Sequence, residues 1–117
     1  MAITLHNMIE QTRDKYALRL LAGEETLDHV VTWAHMAEDA SVSEFFWGNE
    51  LVVTSGYSCK DDKALIRFID TLFVHNCTGV VINTGKYIEK VSPRVISHCK
   101  AYHIPLLVMP WEKSITG

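Results

Sequence analysis

The fold is decided by residues 51–109, which read LVVTSGYSCKDDKALIRFIDTLFVHNCTGVVINTGKYIEKVSPRVISHCKAYHIPLLVM. Three apolar runs, at residues 51–53, 80–82 and 104–109, alternate here with two segments of helical periodicity. The runs are continuously apolar, as is typical of parallel strands that are covered on both faces. The stretch therefore predicts an α/β fold with a mostly parallel sheet and a β-α-β-α-β core in the second half of the chain.

The two helical segments carry recognisable start signals. The first, at residues 61–76, begins with Asp61 and Asp62, where the helix dipole favours anions. The second begins at Ser92 and Pro93, a capping residue followed by a proline that suits the first helical position. Apolar residues recur at i, i+3 and i+4 in both segments, which predicts one buried face for each helix.

The first half of the chain, on the N-terminal side of this core, predicts a helix and two additional strands. Residues 4–16 have helical spacing, and residues 18–22 and 30–36 favour strands that extend the sheet or lie on its edge. Ser41 and Glu44 match a capping box, which predicts a short helix that carries the aromatic residues 45–47. This helix either exposes an aromatic ring to a partner or covers the core with one ring half exposed.

Composition excludes several classes of function. The 117 residues are 48% hydrophobic and 21% charged, which predicts a single domain over residues 1–117. A net charge of -3 argues against binding a nucleic-acid backbone. The chain has three cysteines, no signal-peptide pattern and no apolar run of about 20 residues. We therefore expect a cytoplasmic protein that does not enter a membrane.

Small polar residues follow two of the predicted parallel strands. They are Thr54, Ser55 and Gly56 after the first strand, and Asn83, Thr84 and Gly85 after the second, with Tyr87 close behind. In open α/β sheets ligands bind beyond the carboxyl ends of the strands, which points to these loops and to residues 109–111. Their hydroxyl, amide and backbone N–H groups suit a carboxylate, urea or amide ligand; the alternative is ordinary turn chemistry.

Three further residues complete the predicted ligand-binding set. His35 and Glu38 come at the end of a predicted strand. They bind a ligand, act as acid and base, or form a His–Glu hydrogen bond that anchors the loop. Glu50 begins a strand that is predicted to be buried, so its carboxylate needs either a backbone cap or a ligand.

The sequence matches none of the catalytic or cofactor patterns that we considered. Residues 79–86 differ from a P-loop because the first glycine precedes the strand instead of following it. The segment from Gly56 to Lys60 lacks the second glycine of a nucleophile elbow. The six histidines show no metal-ligand spacing. We therefore expect no catalytic residues, no metal and no cofactor.

Four segments occur in an order that resembles a known family. They are Trp33-x-His35-x-x-Glu38, residues 47–56, residues 79–87 and residues 104–110. Together they resemble the N-terminal domain of PucR-type transcriptional regulators, the purine-catabolism regulator family. Residues 23–31 are similar to the opening of that domain, with Thr26 in place of a glycine.

The resemblance implies a regulatory or sensory domain that is a fragment of a longer bacterial regulator. DNA would then be bound only through a helix-turn-helix beyond this chain. The resemblance also implies a small-molecule effector of the purine-catabolism type, or a signal relayed from a neighbouring domain, and we expect a homodimer.

Two alternatives to a sensory domain stay open at the level of the sequence. One is an oligomerisation module without its own ligand, which would use the aromatic helix or a sheet edge for a two-fold contact. The other is an enzyme of the hydrolase type that uses His35 and Glu38.

Overall fold

The computed structural model describes residues 3–111, which form a five-stranded sheet between helical layers and a separate two-stranded sheet. Seven strands and three α-helices follow one another in this part of the chain. Their bounds are β1 (Ile3–Thr4), α1 (Leu5–Tyr16), β2 (Arg19–Ala22), β3 (Val30–Val31), β4 (Trp33–Met36), β5 (Glu50–Thr54), α2 (Asp62–Val74), β6 (Gly79–Thr84), α3 (Pro93–Ala101) and β7 (Leu106–Pro110).

The larger sheet has the strand order β2-β7-β6-β5-β4. Strands β4, β5, β6 and β7 are parallel, whereas β2 pairs antiparallel with β7 at one edge. Because α2 connects β5 to β6 and α3 connects β6 to β7, the predicted β-α-β-α-β core is confirmed. Parallel strands that are joined by helical crossovers bring their carboxyl ends to one edge of the sheet, where ligands bind in many α/β proteins.

The predicted α-helices are confirmed, and side chains cap two of them as the sequence indicates. The Asp61 carboxylate accepts a hydrogen bond from Ala64 N–H at 2.8 Å before α2. The Ser92 hydroxyl accepts from Val95 N–H at 3.4 Å before α3. None of the helices within residues 3–111 has the length and apolar character needed to cross a bilayer.

Two apolar cores lie on opposite faces of the larger sheet. Side chains alternate between the faces of a strand, so Val80 of β6 packs with α2 and α3, whereas Val81 packs with α1. Ile69 of α2 and Leu5 of α1 are both fully buried, one in each core. The larger sheet is therefore covered on both faces, as its continuously apolar strands predict.

The predicted strand over residues 30–36 is wrong as a single element. Val30–Val31 pairs with β1 in the small sheet, whereas Trp33–Met36 pairs with β5 in the large one. The break falls at Thr32, which donates its N–H to Asn49 O at 3.0 Å and its hydroxyl to Gly48 O at 2.9 Å. These two bonds fix the turn of the chain from one sheet to the other.

The predicted short helix after Ser41 is a 3-10 helix over Ala40–Phe45. Its cap is Asp39, whose carboxylate accepts from Ser41 N–H at 2.9 Å, so Ser41 is not the cap. Ser43 donates its hydroxyl to Ala40 O at 2.7 Å. Such a local bond to the backbone competes with α-helical bonding, which is consistent with the tighter turn seen here.

The three aromatic residues at 45–47 separate into one core residue and two exposed ones. Phe46 packs against the α2 and α3 core. Phe45 and Trp47 are 79% and 98% exposed. The 3-10 geometry and the extended backbone at Phe46 point consecutive rings in different directions.

Candidate ligand-binding site

A cavity of about 520 Å³ lies at the carboxyl edge of the parallel strands. It is bordered by the end of β4, the end of β5, the last residues of β6 and the residue that follows β7. Its lining residues are Met36, Glu38, Val53, Thr54, Ser55, Tyr57, Asn83, Tyr87 and Trp111. A volume of several hundred cubic ångströms is the size of a small-molecule site.

One side of the cavity is built on the Glu38 carboxylate. This carboxylate accepts hydrogen bonds from the Thr54 hydroxyl at 2.8 Å and from Ser55 N–H at 3.0 Å. The Ser58 hydroxyl donates to Glu38 O at 2.6 Å. Glu38 therefore holds the loop after β4 against the loop after β5, and it presents negative charge at the cavity.

The floor of the cavity contains a buried amide. Asn83 of β6 is only 4% exposed, and its Oδ1 has no hydrogen-bond partner among the described residues. Most buried polar atoms in proteins have a partner, because an unsatisfied one costs about 1–3 kcal/mol. The amide of Asn83 therefore has hydrogen-bonding capacity beside the cavity that the described residues leave unused.

The opposite side of the cavity is an aromatic wall that consists of Tyr57, Tyr87 and Trp111. The Tyr57 and Tyr87 rings meet edge to face with centroids 5.1 Å apart, and Tyr87 and Trp111 do so at 6.3 Å. The Lys86 ammonium lies 5.0 Å from the centre of the Trp111 ring. A wall of this kind offers aromatic surface to a flat ligand and a cation near its rim.

Three of the predicted site residues shape the backbone around the cavity and do not line it. Gly56 has a φ of 78°, and a Cβ at this position would overlap the side chain of Ile88. Gly85 has a φ of 118° and donates its N–H to Ile88 O at 2.8 Å. Thr84 ends β6 in register with Pro110. These residues set the course of the loops that carry the lining side chains.

His35 lies on the other face of the sheet. It is in register with Val52 of the α2 and α3 core, whereas Met36 is in register with Val53 at the cavity. The His35 ring stacks on Phe46, with centroids 4.9 Å apart and planes 21° apart. No hydrogen bond within residues 3–111 joins His35 to Glu38, so the structure does not form the pair on which the hydrolase alternative depends.

Glu50 lies at the amino edge of the sheet, away from the cavity. Its side chain is almost fully buried, at 2% exposure. The carboxylate accepts from Trp47 N–H at 2.6 Å and from Gly48 N–H at 2.9 Å. Of the two possibilities that the sequence left open, the backbone cap is the one that the structure contains.

Half of the predicted site residues line the cavity, together with residues outside the predicted set. The predicted residues that line it are Glu38, Thr54, Ser55, Asn83 and Tyr87. Met36, Val53 and Tyr57 also line the cavity but lie outside the predicted set, although Tyr57 directly follows Gly56. Trp111, the residue after β7, belongs to residues 109–111, where ligand binding is expected beyond the carboxyl end of the strand, and it supplies part of the wall.

The thiols and the metal-ligating side chains give no sign of a reactive centre in the described part of the chain. Burial raises the pKa of the Cys59 thiol, with a further increase from the Glu38 charge, and raises the pKa values of Cys77 and Cys99 to about 12. A raised pKa lowers the thiolate fraction and hence nucleophilicity. Within residues 3–111, no group of three or more His, Cys, Asp or Glu side chains is arranged to hold a metal ion.

The fold and the cavity place the chain among α/β domains that have a ligand-sized cavity at the carboxyl edge of a parallel sheet. The chain belongs to the purine catabolism regulatory protein-like family, which matches residues 8–116. This match confirms the resemblance that the ordered segments indicate.

The chain is similar to a protein of Bacillus subtilis (strain 168). The chain is 28% identical over 92 residues to the Purine catabolism regulatory protein of that organism. The aligned residues make up 78% of this chain but only 17% of the relative. The chain therefore corresponds to a small part of that longer protein.

Proposed function

We propose that this chain is the sensory domain of a cytoplasmic transcriptional regulator and binds a small polar metabolite in the cavity at the carboxyl edge. The observation that carries the proposal is Asn83, which lines a ligand-sized cavity and whose buried Oδ1 lacks a partner among the described residues. Family membership and the name of the Bacillus relative support a regulatory role. DNA binding would belong to a part of the regulator outside this chain.

The chemistry of the cavity favours a ligand that brings N–H donors. Asn83 Oδ1 is an acceptor, and the Glu38 carboxylate has lone-pair capacity beyond its bonds to Thr54 and Ser55. A ligand carboxylate would meet the like charge of Glu38, which is unfavourable. Of the three ligand groups that the sequence suits, urea and amide groups therefore fit better than a carboxylate.

The aromatic wall favours a flat ligand. Tyr87 and Trp111 offer π-surfaces beside the polar floor, and rings stack well on such surfaces. Flat molecules with several N–H and C=O groups include purine bases and their cyclic ureide products. This chemistry agrees with the purine-catabolism role in the name of the Bacillus relative.

Ligand binding in the cavity would regulate the protein by shifting its population between two arrangements of the loops after β4 and β5. The Glu38 carboxylate joins the loops after β4 and β5, so a ligand that bonds to it changes how these two loops are held. A ligand shifts such an equilibrium only by its difference in affinity for the two states. The loop after β4 is thus the element that we expect to transmit the signal.

A thermal-shift screen tests the ligand assignment. The panel contains xanthine, uric acid and allantoin, with succinate and glutamate as carboxylate comparators. A ligand at about a hundredfold its Kd adds roughly 2.7 kcal/mol of stability, which raises the Tm of a domain of this size by several degrees. We expect a saturable shift with an N–H-rich compound and none with the carboxylates.

Two substitutions separate an effect on ligand binding in the cavity from an effect on the stability of the free protein. Asn83→Leu removes the acceptor and should abolish the shift without lowering the Tm of the free protein. Thr78→Val is the matched control, because Thr78 Oγ1 is the other buried side-chain oxygen without a partner in the described residues but lies at the amino edge. Thr78→Val should raise stability by about 1 kcal/mol and leave the ligand shift intact. An equal shift in wild type and Asn83→Leu would contradict the proposal, as would no shift with any compound.

A further inference from the structure

Strand β4 leaves one edge of the large sheet open. It is the last strand in the order β2-β7-β6-β5-β4, and no described strand pairs with its outer side. The opposite edge differs, because β2 carries the exposed Arg19 and a register shift between Leu20 and Ala22. Charges and bulges are the usual devices that keep a sheet edge from pairing. Only the β2 edge shows them.

The outer side of β4 has free backbone groups and apolar side chains. Ala37 donates its N–H to Val53 O of β5. Because backbone groups alternate along a strand, the N–H groups of Ala34 and Met36 point away from β5. Met36 is 57% exposed and Trp33 is 64% exposed. The edge can therefore both donate strand hydrogen bonds and bury apolar surface.

The charge pattern of this edge favours a second copy as its occupant. The chain carries a net charge of -3, yet residues 29–37 contain no Asp, Glu, Lys or Arg between the flanking Asp28 and Glu38. In a two-fold contact each residue near the axis meets its own counterpart, so a charged residue there would meet a like charge. A neutral strip is the charge pattern that pairing with itself requires.

The aromatic residues beside the strip supply contact area. Trp47, which is 98% exposed, lies in the loop that bonds to Thr32 just before β4. A buried aromatic side chain removes roughly 150–250 Å² from water. Trp33 and Trp47 together can thus supply a large share of the ~800 Å² per partner that a stable dimer buries.

We propose that two copies of this chain pair β4 against β4 in an antiparallel, two-fold contact, which joins their five-stranded sheets into one continuous sheet. The pairing does not depend on a ligand. One consequence does rest on the proposed function: Met36 also lines the cavity, so a partner strand at this edge lies beside the bound metabolite.

Sedimentation equilibrium of the ligand-free protein over a concentration series tests the pairing. We expect wild type to approach twice the monomer mass. Ala34→Lys and Ala34→Glu should each weaken the dimer roughly tenfold or more, because like charges then face each other across the axis. An equimolar mixture of the two variants should recover the dimer mass. Val74→Lys is the control, since Val74 is apolar and 75% exposed at the end of α2, and it should leave the mass unchanged.

Three outcomes would overturn the pairing: a wild type that stays monomeric at every concentration, Ala34 variants that dimerise as tightly as wild type, or no recovery on mixing. Should the variants fail to fold, amide hydrogen exchange on wild type decides instead. The N–H groups of Ala34 and Met36 should exchange more slowly as the concentration rises, and rates independent of concentration would refute the contact. Neither measurement uses a ligand. A negative result would therefore refute the pairing and leave the sensory proposal unaffected.

Discussion

At the scale of single residues, two buried polar side chains show how bonding separates a structural role from a candidate binding role. Glu50 and Asn83 are 2% and 4% exposed. Two backbone N–H groups satisfy the Glu50 carboxylate, whereas Asn83 Oδ1 has no partner among the described residues. Burial alone does not distinguish the two side chains, because both are almost fully buried. The missing hydrogen bond, together with a position at the cavity, is why we propose a binding role for Asn83 and a structural role for Glu50.

Gly56→Ala should destabilise the protein more than Gly48→Ala. Both glycines have positive φ, at 78° and 113°, so both substitutions strain the backbone by about 1 kcal/mol or more. At Gly56 the added Cβ also overlaps Ile88, whereas at Gly48 no atom of the described residues lies within 4 Å of it. We expect a further loss of about 1–3 kcal/mol at Gly56, measured by urea unfolding. Equal losses at the two positions would contradict the packing of Ile88 on Gly56.

At the scale of elements, the helices differ in how firmly their first turns are held. Asp61 offers α2 a charged acceptor at 2.8 Å from Ala64 N–H. Ser92 offers α3 a neutral hydroxyl at 3.4 Å from Val95 N–H, followed by Pro93 at the first position. Charge-assisted hydrogen bonds are shorter and stronger than neutral ones, and an anion at a helix N-terminus gains from the dipole.

Asp61→Ala should therefore cost about 1–2 kcal/mol of unfolding free energy, near the upper part of the range for a lost N-cap. Ser92→Ala should cost about 0.5 kcal/mol, because its bond is long and Pro93 already fixes the helical φ. Urea unfolding of the two variants under the same conditions checks the order. A larger loss for Ser92→Ala would show that the geometry of the caps does not control the stability of these helices.

At the scale of the whole molecule, the two cores are coupled because they share one sheet. Neighbouring residues of β6 enter opposite cores, Val80 with α2 and α3 and Val81 with α1. Loosening one helical layer therefore disturbs strands on which the other layer packs. A chain of this size is also expected to unfold as a cooperative unit.

Leu5→Ala and Ile69→Ala test this coupling from the two faces. Both side chains are fully buried, so each substitution should cost about 2–5 kcal/mol. Far-UV circular dichroism and tryptophan fluorescence should show one coincident transition in both variants. Val74→Ala, at a side chain that is 75% exposed, serves as the control and should change stability by less than about 0.5 kcal/mol. If circular dichroism and fluorescence gave different transitions in either variant, the two helical layers would unfold independently.

Much of the fold follows from local sequence. The apolar runs and the helical periodicity of residues 51–109 predict the parallel core, and Asp61 and Ser92 predict where α2 and α3 begin. These features depend on neighbours within a few positions along the chain, where backbone propensity and side-chain spacing act directly. The rule that ligands bind beyond the carboxyl ends of parallel strands likewise predicts that the ends of β5 and β6, with Thr54 and Asn83, lie at one edge.

Tertiary structure alone decided how those pieces meet. The division of residues 30–36 between two sheets depends on bonds from Thr32 to Gly48 and Asn49, far along the chain. The sequence determined that β5 and β6 end in polar loops. Only the packed molecule showed that Glu38 bonds to one loop, that His35 lies on the other face and that Asn83 Oδ1 lacks a partner within residues 3–111. This difference has a physical cause. Propensity acts between neighbours in sequence, whereas the partner of a hydrogen bond and the face of the sheet on which a side chain lies depend on residues that only folding brings together.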